Sequence, residues 1–192
     1  MGTDRWLVVG LGNPEPEYAE TRHNVGADVV RVLAGRHGRE LSLNRRVRCA
    51  TAEIRDGDLR LVLAKPIGYM NESGGPVQQV SAWYKMPAER IIVVHDDLDL
   101  EVGALRIKFG GGNAGHRGLR DIDRRLGTNA YHRVRVGIGR PPGRMDPRDH
   151  VLRRFDRRER EEIDVTLEEA ADAVLLLATE GLEPAQNRYH AR

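Results

Sequence analysis

The sequence has a single cysteine, Cys49, in 192 residues. No intrachain disulfide can form, and nothing indicates an oxidising compartment. Set between Val47-Arg48 and Ala50-Thr51, Cys49 reads as an inert strand residue. Long apolar runs are missing as well. The run from Ala173 to Ala178 falls far short of the roughly 20 residues that span a bilayer, and Trp6-Leu7-Val8-Val9 is too short for a signal-peptide core. A cytoplasmic protein with no membrane partner is expected. Lysine is scarce, with only Lys65, Lys85 and Lys108, which biased codon usage explains. The seven histidines form no His-Glu-x-x-His and no cluster with cysteine, so no metal site is expected. No repeat or low-complexity linker divides the chain, and residues 1–192 are expected to form one domain.

Net charge is the last thing in short supply: 31 basic against 29 acidic residues leave +2. That sum alone argues against a nucleic-acid partner, but the distribution reverses the inference. Residues 103–160 carry 16 basic and 6 acidic side chains, whereas the rest of the chain carries 15 and 23. Segregation of this kind signals a polyanionic partner for the basic part.

Apolar periodicity alternates between strand and helix. Trp6–Val9, Val47–Ile54, Leu59–Ala64, Arg90–His95, Leu105–Phe109 and Val134–Ile138 read as strands, with a turn at Asp56-Gly57-Asp58. Asn24–Gly35, Val77–Tyr84 after Gly75-Pro76, Leu119–Leu126 and Arg157–Glu180 read as helices. The last is stopped by Gly181, with Pro184 beyond. This order predicts an α/β domain: a mixed, mostly parallel twisted sheet with helices on both faces.

Two glycine-rich segments fail as cofactor motifs. Gly10-Leu11-Gly12 permits a tight turn after the first strand, but the third glycine of a dinucleotide fingerprint is replaced by Glu15, whose charge repels a pyrophosphate. Gly110–Gly115 has Walker-like spacing but is followed by His116-Arg117 rather than Lys-Ser/Thr. Its backbone amides still suit a phosphate-binding turn. No cofactor is expected.

What remains is a set of polar residues at strand ends and in the turns that follow: Asn13, His23 within Arg22-His23-Asn24, Asn71 after Lys65-Pro66, and Asp96 within His95-Asp96-Asp97. Ligands of open α/β sheets bind outside the C-terminal strand ends, so Asn13, Asn71 and Asp96 can meet at one rim and His23 can join them. A histidine oriented by an aspartate is a general base. With no Gly-x-Ser-x-Gly elbow, its nucleophile is water, positioned by amide side chains. A plainer reading stands beside this one: His23, beside a helix start, as a cap or a satisfied surface residue, and Asn71 as a helix cap.

The same residues carry a family resemblance. Val-Gly-Leu-Gly-Asn-Pro at 9–14, Tyr18 with Thr21-Arg22-His23-Asn24-Val25-Gly26, and Lys65-Pro66 through Tyr69-Met70-Asn71-Glu72-Ser73-Gly74 resemble bacterial peptidyl-tRNA hydrolases. So do His95-Asp96-Asp97-Leu98-Asp99, Gly110-Gly111-Gly112 with Gly115-His116, Gly137-Ile138-Gly139-Arg140-Pro141 and Glu183–Arg188. The matched motifs run over nearly the whole chain. The resemblance implies ester hydrolysis on peptidyl-tRNA by a monomer without metal or cofactor. It implies His23 as general base, Asp96 as its orienting carboxylate, and Asn13 as the residue that separates N-blocked from free aminoacyl groups. Tyr69, Met70 and Asn71 would wall the peptide and tRNA 3′ end, with Asn71 a candidate donor to the oxyanion. Tyr18 would stack on the terminal nucleotide, and His116 and Arg117 would border the same end. Lys108 and Arg135 would clamp tRNA phosphates. In extended backbone Arg106 and Arg133 fall on the same faces as these two and are expected to add to the basic surface.

Two positions depart from the family pattern. Arg117 stands where the family has asparagine in Gly-His-Asn-Gly-Leu, and it can only donate hydrogen bonds. Three outcomes are open: Arg117 swings to a phosphate, Asn113 compensates, or activity falls, leaving a weak or silent RNA-binding relative. Glu15-Pro16 replaces the glycine that usually follows Asn-Pro, which stiffens the turn.

Overall fold

The computed structural model describes residues 4–190. Its seven strands are β1 (Asp4–Gly10), β2 (Ser42–Asn44), β3 (Cys49–Asp56), β4 (Leu59–Pro66), β5 (Ile91–Asp97), β6 (Leu105–Phe109) and β7 (His132–Gly137). They form one sheet in the order β2-β3-β4-β1-β5-β7-β6. The central ladders β4-β1, β1-β5 and β5-β7 are parallel, while β2-β3, β3-β4 and β7-β6 at the flanks are antiparallel. Only β3 and β6 therefore run against the other five strands. The helices are α1 (Val25–Arg36), α2 (Gly74–Trp83), α3 (Arg117–Leu126), α4 (Pro147–Val151), α5 (Arg157–Glu180) and α6 (Leu182–His190).

Strand alternation sorts the core into two layers. Trp6, Val8, Leu61, Leu63, Ile92 and Val94 face α1 and α5. Leu7, Val9, Val62, Ala64, Ile91 and Val93 face α2 and α3. No helix among the described residues is long and apolar enough to cross a membrane.

Two glycines set how closely α1 approaches the sheet. A Cβ on Gly26 would stand 2.1 Å from the Val94 carbonyl oxygen, and one on Gly10 would stand 2.2 Å from the Gly26 oxygen. The first turn of α1 thus rests directly on the ends of β1 and β5. Leu11 N–H donates to Val94 O (3.1 Å) and Ala27 N–H donates to Leu11 O (3.0 Å). This contact brings the residues just before α1 to the end of β5.

Helix α5 spans its expected residues and begins in a capping box, with Glu159 N–H bonded to Asp156 Oδ1 (2.8 Å) and Asp156 N–H to Glu159 Oε1 (3.1 Å). Three elements were not expected: β2, α4 and α6. Gly181 ends α5 as expected, but α6 starts at once, with Pro184 in its first turn where no N–H partner is needed. Helix α6 packs along β6, an edge strand. Ile107 N–H donates to His190 Nε2 (2.8 Å), and Gln186 Nε2 donates to Ile107 O (3.0 Å).

Candidate active site

The C-terminal ends of β1, β4 and β5 open into a cavity of about 530 Å³, walled also by the segment from Asn113 to Arg117 and by α4. At its floor Asp96, buried and at the end of β5, is shared by two histidines. His23 Nδ1 lies 2.7 Å from Asp96 Oδ2, and His116 Nε2 lies 2.8 Å from Asp96 Oδ1. Burial pushes the Asp96 carboxyl pKa upward, but His23 and His116 more than offset this and hold it well below the usual carboxylate range. The carboxylate is therefore ionised and only accepts.

That fixes both ring tautomers. His116 caps α3: its Nδ1 accepts from Leu119 N–H (3.3 Å), so its Nε2 carries the proton given to Asp96. His116 is thus satisfied on both nitrogens and positions the carboxylate, although it also lines the cavity. His23 gives its Nδ1 proton to Asp96, which leaves Nε2 as a bare lone pair at the cavity. The plainer readings of His23 and Asn71 lose their ground, because neither side chain caps a helix here.

Asn13 is oriented just as tightly. Its backbone N–H donates to Asn24 Oδ1 (2.8 Å), and its carbonyl accepts from Asn24 Nδ2 (3.0 Å) and Lys65 Nζ (3.3 Å). Its Oδ1 accepts from Met70 N–H (2.7 Å). The side-chain oxygen is consumed, and the Nδ2 hydrogens are left for the cavity. Asn71 sits in a single 3₁₀ turn, Met70–Glu72, exposed at the rim with its amide unbonded. Tyr18 and Tyr69 meet edge to face, with ring centroids 6.4 Å apart, and form one lip. Arg117, at the start of α3, is exposed at the opposite lip and has no carboxylate partner. Asn113 remains in its own turn, its Oδ1 accepting from Gly115 N–H (3.0 Å).

The basic residues are not all what strand alternation implies. Register does bring all four to one face, since Lys108 pairs with Arg133 and Arg106 with Arg135. Arg135 is partly exposed and bonds Asp97 through Nε (2.9 Å), and Lys108 bonds Gly112 O (3.0 Å). Arg133, however, is not part of the exposed surface. It is fully buried, with Nη1 on Gly112 O (2.6 Å), Nη2 on Gly111 O (3.2 Å) and its guanidinium over the Tyr131 ring. The glycine-rich loop folds over it. We therefore expect Arg133→Met to lower stability by about 1–3 kcal/mol, because Asp123 loses its guanidinium partner (3.5 Å) and the Gly111 and Gly112 carbonyls, which keep Asn129 and Lys108, each lose one of two donors. A thermal melt checks this, and an unchanged Tm would contradict it.

Several site residues were not singled out by sequence. Asn24 is one. His95 is another: burial pushes its pKa down to about 3, so it stays neutral, donating from Nδ1 to Asp96 O (2.7 Å) and packing edge-on against His116. Val151 and Leu152, at the end of α4, supply apolar wall. The available signal was adjacency: Asn24 follows His23 and His95 precedes Asp96 in the sequence.

His23, Asp96 and His116 are also close enough to suggest a cation site. Their atoms are bonded to one another at 2.7 and 2.8 Å, hydrogen-bond separations, and both His116 nitrogens are occupied. The set does not fit an ion.

A carboxylate-oriented histidine with one free nitrogen, at the floor of a cavity beyond the C-terminal strand ends of an α/β sheet, is an arrangement suited to a hydrolase. The family model for peptidyl-tRNA hydrolase matches residues 7–192. The peptidyl-tRNA hydrolase of Frankia alni is 57% identical over 97% of this chain and 94% of its own. That of Mycolicibacterium smegmatis is 50% identical over 96% and 97%. A crystal structure of peptidyl-tRNA hydrolase from Acinetobacter baumannii matches with a TM-score of 0.91 at 37% identity, covering 98% of this chain and 96% of that one. The chain belongs to the peptidyl-tRNA hydrolase family.

Proposed function

We infer that the chain hydrolyses the ester joining a peptide to the 3′-terminal ribose of tRNA, freeing tRNA from prematurely released peptidyl-tRNA. The observation that carries this is the free Nε2 of His23, aimed at the cavity by the bond from Nδ1 to Asp96. Nε2 takes a proton from water as the water oxygen bonds to the ester carbonyl carbon. The C–O bond to ribose then breaks, and the same proton passes to the ribose oxygen. Asp96 stabilises the charged imidazolium in between. Asn71 at the rim donates to the carbonyl oxygen as it becomes negative, a contribution of roughly 10²–10³ in rate. The residues 1–192 act as one catalytic unit, monomeric and without metal or cofactor.

Asn13 supplies the selectivity. Its Nδ2 hydrogens suit the carbonyl of a peptide bond and oppose the ammonium of a free aminoacyl group, donor against donor. The test is release of label from N-acetyl-aminoacyl-tRNA against free aminoacyl-tRNA. Wild type should prefer the blocked substrate strongly, and Asn13→Ala should narrow the ratio by about tenfold or more. Hydrolysis of both at equal rates by wild type, or of small esters without RNA, would overturn the reading.

Tyr18 and Tyr69 stack with the terminal nucleotide, Met70 lies beneath the peptide, and Lys108 and Arg135 hold phosphates. KM should therefore rise steeply with salt, and Lys108→Gln or Arg135→Gln should each lower the slope by about one. A salt-independent KM would exclude the clamp.

The silent-relative reading prompted by Arg117 is disfavoured because Arg117 touches neither His23 nor Asp96. Its unpaired guanidinium at the lip suits a substrate phosphate. Restoring Arg117→Asn should change KM severalfold and leave kcat nearly unchanged; a large rise in kcat would mean that Arg117 impairs the chemistry.

A further inference from the structure

The sheet face covered by α2 is left open at the end away from the catalytic cavity. There Arg5 of β1 is in register with Arg60 of β4, and Arg60 with Arg55 of β3. Residues in register share a face, and neighbouring strands lie about 4.8 Å apart, so three guanidinium groups emerge abreast. All three are exposed, as is Arg39, which joins them along a groove of about 700 Å³. Glu53 is the one acid among the residues lining that groove. None of the four arginines pairs with a carboxylate, whereas Arg22, Arg31, Arg36 and Arg90 all do. Like charges directly opposite on a sheet destabilise it, and only Arg5 has a bond in return, from Nη2 to Tyr84 O (3.4 Å).

Aromatic rings flank the row. The Arg5 guanidinium lies 6.0 Å from the Tyr84 ring centroid, and Arg46 lies over Trp83, which is 50% exposed, at 5.6 Å. Tyr84 is half-buried against the core, and Trp83 is the exposed ring; arginines without carboxylate partners near such a ring suit phosphates linked to flat bases better than they suit carboxylates. The patch belongs to the part of the chain whose net charge is negative, so it is separate from the basic stretch at 103–160. Arg5 and Arg60 stand near the starts of the strands whose far ends lead to Asn13 and Lys65, roughly 20 Å away at about 3.3 Å per residue.

We propose that Arg5, Arg55, Arg60 and Arg39 form a second RNA-binding surface, independent of the catalytic cavity, which takes the phosphate backbone of an RNA segment other than the one bearing the ester. The probe is a fluorescent RNA hairpin without a single-stranded 3′ end, titrated at low salt against wild type and the triple variant R5Q/R55Q/R60Q. Wild type should bind two hairpins per chain and the variant one, with the salt slope of the lost site near two to three. kcat/KM on N-acetyl-aminoacyl-tRNA should be unchanged, and the variant's Tm equal or a few degrees higher because the repulsion is gone. One hairpin per chain in both proteins would overturn the proposal. So would displacement of the second hairpin by a polyglutamate peptide of matched charge as effectively as by unlabelled RNA, which would assign the surface to an acidic protein. If Arg60→Gln alone, a milder change, leaves the second site at full strength with the triple variant unfolded, the proposal also fails.

Discussion

His23→Ala should lower kcat on N-acetyl-aminoacyl-tRNA by about 10²–10⁴ while KM moves only a few-fold. The lost group is the base itself, and nothing else in the cavity offers an equivalent lone pair. His95 is neutral but buried, and His116 has both nitrogens bonded. Asp96→Asn should be as severe, for a different reason. Two N–H donors, from His23 and His116, point at this side chain. An amide accepts through one atom only and presents a donor at the other. His116 is held by its bond from Leu119 N–H, so His23 is the ring that must change. Its Nδ1 then accepts from the amide, the proton moves to Nε2, and the base is gone with the ring still in place. The two variants should not be additive, since each removes the same function. Single-turnover release of labelled N-acetyl-amino acid measures this directly. An Asp96→Asn protein within tenfold of wild type would show that the carboxylate does not set the tautomer.

Gly26→Ala should cost about 3–5 kcal/mol and lower Tm by roughly 10 °C or more. The added carbon would lie 2.1 Å from Val94 O and 2.8 Å from Leu11 N, both of them backbone atoms that no rotamer change can move. Relief requires α1 to lift away from β1 and β5, which breaks the bond from Ala27 N–H to Leu11 O. Because His23 lies just ahead of this contact, the molecules that do fold should also lose activity. Gly35→Ala in the same helix is the control. Nothing lies within 4 Å of a Cβ there, and the change should be neutral or stabilising by about 0.5–1 kcal/mol. If Gly26→Ala melts with wild type, the close approach is not what fixes the site.

Elements with sustained periodicity were legible from sequence. Helix α5 and strand β6 fall on their expected residues, because the 3.6- and 2-residue patterns persist through them. Strand β2 and helix α4 span three and five residues, too few to show a period. Helix α6 was hidden by Gly181 and Pro184, which read as stop signals but here turn the chain and open a new helix. Of the site, the residue types at strand ends were legible, and His23 does meet Asp96. What sequence could not convey is which partner consumes each polar atom. Arg133 and Arg135 look equivalent on one strand face, yet only Arg133 lies beneath the glycine loop, whose carbonyls it holds. Asn24 and His95 act by fixing the backbone of Asn13 and Asp96, contacts that no spacing rule encodes.

The two bonds from α6 to Ile107 reach further than local packing. A strand at the margin of a sheet exposes donors and acceptors that any other extended chain can match. In β6 the backbone groups of Ile107 are already taken by Gln186 and His190. The last helix thus acts as a stopper on the open margin, and a chain ending at Gly181 would offer that margin to its neighbours, trading a discrete particle for strand-to-strand association.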